Sequence, residues 1–317
     1  MIRLSIIIPF YNVEQYIAQC LDSVYQQNIP EEEYEVICVN DASPDNSRKI
    51  VQEYQKRHSN LILIEHEVNK KLGAARNTGR SIAKGEYIWN VDSDDMITPN
   101  CLGEILSVCE SKNLDVLEVG YKTTNGQSCT HGVIDTDIYN GQSYLLKYYI
   151  KEIGAICPIW RKIFRKEFLD KNDIYSPSIN MGEDEAFAMH VFAKAERVGY
   201  VNNEYYIYRI NNASLTGDKV QMLKADKWYE ASILCPLAMH QVLQKVSSDL
   251  DQLIYQQYYN MIRYDIMAYW DIEIEDKEKK KYWRECLRNI KGLIPLMYYL
   301  SRKAKYQFVK YLIRYAL

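Results

Sequence analysis

Four short apolar runs, separated by helix-length segments, limit this chain to very few folds. They are "RLSIIIP" (residues 3–9), "YEVICVN" (34–40), "LILIEH" (61–66) and "EYIWNV" (86–91). The first reads as a strand buried on both faces, the second as a further buried strand, and the other two as strands. A helix is expected from about Val13 to Gln27, with Ile17, Leu21 and Val24 on one face. A second runs from the polar turn "DASPDNS" (41–47) to about His58, and a third is "GAARNTGRSIAKG" (73–85), with glycines near both ends. Strands alternating with helices predict an α/β fold around a mostly parallel sheet. In such sheets ligands bind beyond the carboxyl ends of the strands.

The remainder is less regular. A helix after Pro99 leads to a strand, "LDVLEVGY", and residues 121–145 are polar and irregular. "ICPIWRKIFRKEFLDKN" (156–172) reads as a strand leading into a helix, "MGEDEAFAMHVFAKA" (181–195) as a helix, and "VGYVNNEYYIYRI" (198–210) as a pair of strands. After "NNASLTGD" (211–218) the pattern is helical to the end. This shift predicts two regions, 1–220 and 221–317.

Composition narrows the function classes. The 317 residues are 47% hydrophobic and 26% charged, which excludes wholesale disorder. A net charge of −3 gives no signal for nucleic acid. The eight cysteines form no CxxC pair and read as small core residues of a reducing compartment. Five scattered histidines argue against a histidine metal site. Met1 leads almost directly into a strand, and no apolar run approaches the ~18 residues of a membrane span, so a cytoplasmic protein is expected. The 28 tyrosines suit half-buried or interface positions, including a homodimer interface.

The chemistry gathers at strand ends. Asp41 follows the second strand, and Asp92, Asp94 and Asp95 follow the fourth. A single acid there commonly caps the next turn or helix, but three within four residues repel one another. One reading is an Asp-nucleophile phosphatase of the haloacid-dehalogenase kind. Met96 follows Asp95 where that motif needs Thr or Val, and the motif usually sits on the first strand. The other reading is a divalent cation, Mg²⁺ or Mn²⁺, bridging carboxylates to a diphosphate. A dinucleotide-dependent dehydrogenase is disfavoured, because no GxGxxG follows the first strand.

Five segments, in this order, carry a resemblance: "SIIIPFYNVEQYIAQCLDSVYQQ", "YEVICVNDASPDNS", "GAARNTGRSIAKGEYIWNVDSDD", "WRKIF" and "GEDEAF". Together they resemble family 2 glycosyltransferases of the GT-A fold, of the bacterial capsule, exopolysaccharide and O-antigen type. The resemblance implies a nucleotide-sugar donor, most simply a UDP-sugar, and a glycan or lipid-linked acceptor. It implies that Pro9, Tyr11 and Asn12 line the nucleotide and that Asp41 reads the uracil edge. A carboxylate accepting from N3–H favours uracil over neutral cytosine, which lacks that donor. Of the basic residues Lys70, Lys71 and Arg76, only Arg76 is put forward as a nucleotide contact. Asp92, Asp94 and Asp95 are implied as the metal and ribose cluster, with Asp94 the first metal ligand and Asp92 the next, Asp92 also contacting the nucleotide.

An inverting transfer also needs a general base. "GED" implies Asp184, with Glu183 second, although acids in a first helical turn also offset the helix dipole. Trp160 and Lys162 of "WRKIF" are expected on the acceptor side, and "RINNASLT" (209–216) resembles a segment that closes over the diphosphate. Finally, residues 286–317 hold seven Lys/Arg and no acid, leaving −10 on the first 285. Such a basic, aromatic-rich segment suits either peripheral contact with an anionic membrane or packing with a basic outer face. A binding scaffold without turnover is the remaining alternative.

Overall fold

The computed structural model describes residues 1–130, 138–149, 158–179, 182–210, 276–288, 291 and 302–316. It divides into two compact units, Met1–Ser178 with Val191–Ile210, and Ile179–His190 with Asn211–Leu317. The expected boundary near residue 220 lies outside the described residues, as does the 211–216 part of "RINNASLT".

The first unit is built on one sheet. Its strands are β1 (Leu4–Phe10), β2 (Tyr34–Asn40), β3 (Leu61–Glu65), β4 (Tyr87–Asn90), β5 (Met96–Ile97), β6 (Val116–Thr123), β7 (Ser128–Cys129), β8 (Lys162–Arg165) and β9 (Val198–Tyr208). They run in the order β3-β2-β1-β4-β8-β6-β9-β5, with β7 paired to β6. The β3, β2, β1 and β4 pairings are parallel. Strand β8 is antiparallel to β4 and β6, so the second half is mixed.

Strand β1 lies inside the parallel half and is buried at every residue. Its even-numbered Ile6 and Ile8 join the larger core cluster, and Ile7 joins the smaller one on the other face. That two-sided demand explains the run of isoleucines, each worth ~1.5–3 kcal/mol when buried. Helices α1 (Ile17–Tyr25), α2 (Ser47–Gln55) and α3 (Leu72–Ile82) connect the parallel strands. Helix α3 approaches the sheet closely: a Cβ at Gly79 would lie 2.5 Å from Ile7 Cγ2. Helices α4 (Leu102–Ser111), α5 (Gly141–Tyr149) and α6 (Lys166–Lys171) follow in the mixed half.

The 198–210 stretch holds one strand, Val198–Tyr208, not two. Asn202 and Asn203 look like a hairpin turn but instead form a bulge against β6, where the register jumps from Val119↔Val201 to Gly120↔Glu204 and Tyr121↔Tyr206. Gly120 makes room for it, since a Cβ there would meet Asn202 O at 2.5 Å. The short β5 was not anticipated; two residues carry no periodicity, and its existence depends on antiparallel pairing with Tyr206 and Ile207 of β9.

Helix α7 (Glu183–Lys194) begins in the second unit. That unit also contains α8 (Asp276–Arg288) and α9 (Arg302–Ala316). Trp283 of α8 meets buried Phe308 of α9 edge-on at 5.1 Å. The opposite face of α9 presents Tyr306, Val309 and Ile313 at 70%, 45% and 57% exposure. No described helix is long and apolar enough to cross a membrane.

Replacing Gly79 with Leu is expected to lower stability by about 2 kcal/mol or more, because the added carbons collide with Ile7 and Val39. Ser81→Ala, on the exposed side of the same helix, should stay within ~0.5 kcal/mol. Urea unfolding midpoints of both variants check the contrast.

Candidate active site

Parallel strands β1, β2 and β4 deliver their carboxyl ends to one edge of the sheet. Each chain exit there carries a residue singled out in the sequence. After β1, Pro9 is buried within the strand, Tyr11 is exposed, and Asn12 turns the chain with φ 57°. After β2, Asp41 is buried and Ala42 turns with φ 59°. Asn has a short side chain that tolerates this left-handed region, whereas Ala there is an uncommon conformation.

A polar net ties these two exits together. The Asn12 N–H donates to Ser43 Oγ at 2.8 Å, and Ser43 Oγ donates to Asp45 Oδ1 at 2.6 Å. Asp45 also accepts the N–H groups of Glu14 and Ser47, at 2.8 and 3.1 Å. Burial works against the Asp45 carboxylate, but these bonds outweigh it and hold its pKa below the ordinary value.

Asp41 anchors the loop after β3. Its Oδ1 accepts the Lys70 N–H at 2.7 Å and lies 2.7 Å from His66 Nδ1, which carries its proton toward the carboxylate. Its Oδ2 accepts the Lys71 N–H at 2.9 Å. A carboxylate has about four acceptor sites. Three are used, so the remaining one is on Oδ2.

Arg76, buried on α3, spans to the acid cluster after β4. Its guanidinium meets Asp92 Oδ1 at 2.9 Å. Asp95 is the deepest acid. Its Oδ2 accepts from Tyr206 Oη at 2.7 Å, and its Oδ1 accepts the Arg209 N–H at 2.7 Å. Burial, reinforced by Asp92 and Asp94, pushes its pKa up to about 8. Burial also raises Asp94, against the pull of Arg209. Asp95, expected among the metal ligands, accepts one bond from Tyr206 of β9 and one from the Arg209 N–H just past that strand. Tyr206 Oη also accepts the Asp92 N–H at 3.2 Å, so one hydroxyl touches two of the acids.

The two expected acceptor residues are both buried, Lys162 at the start of β8 and Trp160 in the 3-10 turn just before it. Lys162 is fully buried, 3.8 Å from Glu118, with its ammonium donating to Pro158 O at 2.9 Å. Arg161 and Tyr144 join the same buried carboxylate, at 3.2 and 2.9 Å. A single acid from β6, Glu118, thus sits against both adjacent cations inside the fold. Trp160 is buried and stacks between Tyr206 and Tyr208, with ring centroids 4.4 and 5.6 Å away. Arg209 donates to Asp94 O and to Gln19 Oε1, both at 2.7 Å, which places its guanidinium on the acid turn.

Glu183 and Asp184 occupy the first turn of α7, with Glu183 buried and Asp184 half-buried. They belong to the second unit. Sequence reasoning missed His66, Asp45 and Tyr206. The first two stand within or beside segments already read as strand end and turn. Tyr206 had no local signal, since its partner Asp95 lies 111 residues earlier.

A parallel strand edge carrying Asp41, an Arg76–Asp92 pair and an acidic turn defines a nucleotide-diphospho-sugar transferase fold of the GT-A type. The sequence profile "Glycosyl transferase family 2" matches residues 5–173, and the chain belongs to that family. It is 34% identical over 218 residues to "Uncharacterized glycosyltransferase EpsJ" of Bacillus subtilis, covering 67% of this chain and 62% of the relative. It is also 34% identical over 215 residues to a poly(ribitol-phosphate) beta-glucosyltransferase of Bacillus spizizenii, covering 66% of this chain and 32% of that protein. The match thus spans less than two thirds of either relative's length. Among solved structures, residues 1–349 of Staphylococcus aureus TarS with UDP-GlcNAc share the fold at TM-score 0.70 and 21% identity, over 98% of this chain and 89% of the other. Nothing in these likenesses supports the phosphatase reading, and the acids follow the fourth strand, not the first.

The Asp45 brace has a defined pH signature. A folded pKa below the unfolded value adds stability above the unfolded pKa, and this is lost as pH falls through the folded pKa. Asp45→Asn should therefore cost about 1–2 kcal/mol at neutral pH, with the difference from wild type shrinking as the pH falls below the ordinary carboxylate range. Urea unfolding across that pH range measures it.

Proposed function

We propose that this chain is an inverting glycosyltransferase. It takes a sugar from a nucleotide-diphosphate donor, a UDP-sugar, to a hydroxyl of a glycan or lipid-linked oligosaccharide in cell-surface polysaccharide synthesis. The observation that carries this reading is the strand edge, where Asp41 keeps one acceptor site open on the same sheet edge as the Arg76-bound Asp92 and the Asp94 turn. That open site suits the N3–H of uracil. The relatives' names, a beta-glucosyltransferase and a beta-N-acetylglucosaminyltransferase, and a TarS structure with UDP-GlcNAc support a hexose or N-acetylhexosamine on UDP.

The donor set suits Mg²⁺ or Mn²⁺. No cluster of three or more metal-type side chains occurs among the described residues, but these cations use one or two carboxylates together with substrate phosphates. Asp94 is the assigned ligand and Asp92 the second, while Asp95 holds the turn. A neighbour of the same fold, a Pyrobaculum calidifontis mannosyltransferase at TM-score 0.54 and 15% identity, was solved with GDP-Man and Mn²⁺. Bound there, the cation would stabilise charge developing on the diphosphate leaving group. Asp184, named by its "GED" motif, takes the proton of the attacking hydroxyl, with Glu183 as the second candidate. Pro9, Tyr11 and Asn12 flank the nucleotide.

A further reading concerns where the enzyme works. On α9, Tyr306, Val309 and Ile313 fall within one narrow helical stripe, with exposed Arg302 one turn before Tyr306 on the same line and exposed Lys310 and Arg314 along one side. An exposed apolar stripe edged by cations suits the headgroup region of an anionic bilayer. The proposed location is therefore cytoplasmic, peripheral at the inner membrane face, beside a lipid-linked acceptor. Vesicles containing phosphatidylglycerol should sediment the full chain, and neutral phosphatidylcholine vesicles should not. Tyr306→Glu with Ile313→Glu should abolish the difference. Self-association lost in that variant, with no vesicle binding by wild type, would make the stripe a homodimer contact instead.

The transferase reading is tested by thermal unfolding with UDP, with and without Mn²⁺. Ligand at ~100 times its Kd adds about 2.7 kcal/mol, a visible shift. The shift should need Mn²⁺ and vanish in Asp94→Asn. Asp184→Asn should retain the shift and lose transfer; unchanged transfer would remove Asp184 as the base, and a wild type that binds but never turns over would be a scaffold.

A further inference from the structure

A buried imidazole stands between Asp41 and helix α3. His66 is the first residue beyond β3, and the fold holds it at three points. Its main-chain N–H donates to Asn40 O at 2.9 Å, which carries the β2–β3 pairing one step further. Its Nδ1–H donates to Asp41 Oδ1 at 2.7 Å. Its Nε2 lies 2.9 Å from Thr78 Oγ1, and that hydroxyl also donates to Ala74 O at 3.0 Å, one turn back on α3. The ring is buried, so it cannot turn without leaving polar groups unpaired. Two residues before Thr78, the same helix sends Arg76 to Asp92 at 2.9 Å. Helix α3 thus braces the acid after β2 through Thr78 and His66, and the acid after β4 through Arg76.

The ring decides what Asp41 offers. Two of the donors on this carboxylate are the main-chain N–H groups of Lys70 and Lys71, which a substitution leaves in place. Among the described residues, His66 is the one side chain that donates to it. Together with the Lys70 N–H it fills Oδ1, so the open site is on Oδ2 and is an acceptor. Uracil meets such a site with its N3–H, whereas the bare N3 of neutral cytosine opposes it. With the imidazole donor gone, a buried oxygen of Asp41 must find another proton. A carboxyl that takes one becomes a donor, the partner that cytosine N3 accepts.

We propose that His66 is a positioning residue for base choice. Clamped between α3 and Asp41, it keeps that carboxylate an acceptor with only Oδ2 open, and so sets the preference for uracil over cytosine. This rests on the nucleotide site assigned above.

The test is isothermal titration of the full chain with UDP and with CDP, both with Mn²⁺, on wild type, His66→Leu, His66→Asn and Thr78→Val. Melting temperatures without nucleotide are measured alongside. Wild type should prefer UDP. In His66→Leu that preference should fall about tenfold, the order expected when a hydrogen bond to a charged group is removed. Asn places an amide N–H where Nδ1 stands and nothing where Nε2 stands, so His66→Asn should restore most of the preference. Thr78→Val frees the far side of the ring and should give a smaller loss in the same direction. A purely structural His66 would lower the melting temperature and weaken both nucleotides alike. An unchanged UDP/CDP ratio in His66→Leu therefore overturns the proposal and leaves the nucleotide site standing, as does a His66→Asn no better than His66→Leu. Should His66→Leu fail to fold, an unchanged ratio in Thr78→Val overturns it instead. Wild type that binds both nucleotides equally, or neither, overturns the Asp41 reading and the role of His66 with it.

Discussion

Carboxylates that accept main-chain N–H groups hold the carboxyl edge of this sheet together. Asp41 takes two consecutive N–H groups from the loop after β3, Asp45 takes those of Glu14 and Ser47, and Asp95 takes that of Arg209. Such bonds are stronger than neutral ones. They turn loops that would otherwise be polar and irregular into a surface of fixed shape. The same acids carry the charge that the proposed chemistry needs, so ordering of the loops and readiness for a diphosphate come from one set of side chains.

The acids divide their tasks according to depth. Asp95 is buried deepest and is spent on β9 and Tyr206, which accounts for its strong upward pKa shift. Asp92 is partly exposed and countered by Arg76. Asp94 is raised by burial but lends its carbonyl, not its carboxylate, to Arg209. Repulsion within the cluster is thereby met on three sides by a guanidinium, a phenol and a main-chain N–H.

What could be read from sequence was local. Strands β1, β2 and β4 announce themselves because two-sided burial demands unbroken apolar runs, and Asp41 and the acid cluster sit where two of those runs stop; β3, at the sheet edge, is only half-buried. Helix α7 and the β8–α6 unit were legible for the same reason. The failures all involve distant partners. Lys162, expected on the acceptor side, is buried against Glu118 of β6. Trp160 suits a sugar face until Tyr206 and Tyr208 enclose it. Strand β5 is too short to have a pattern, and the paired asparagines of β9 mimic a hairpin.

That bulge governs which way a whole half-strand faces. Along β6 the step from Val119 to Tyr121 is two residues, while β9 advances from Val201 to Tyr206. Three extra residues are an odd number, and side chains alternate between faces, so the excess inverts the phase of everything beyond it. Tyr206 thereby faces the same side as Tyr121, where Asp95 is, although an unbroken strand would turn it away. Residues 202–204 therefore act as a counted spacer. Their identities are free to drift so long as the length keeps its parity, but losing or gaining one residue would rotate the phenol out of the acid turn. Insertions and deletions, more than substitutions, should be what this stretch of the family refuses.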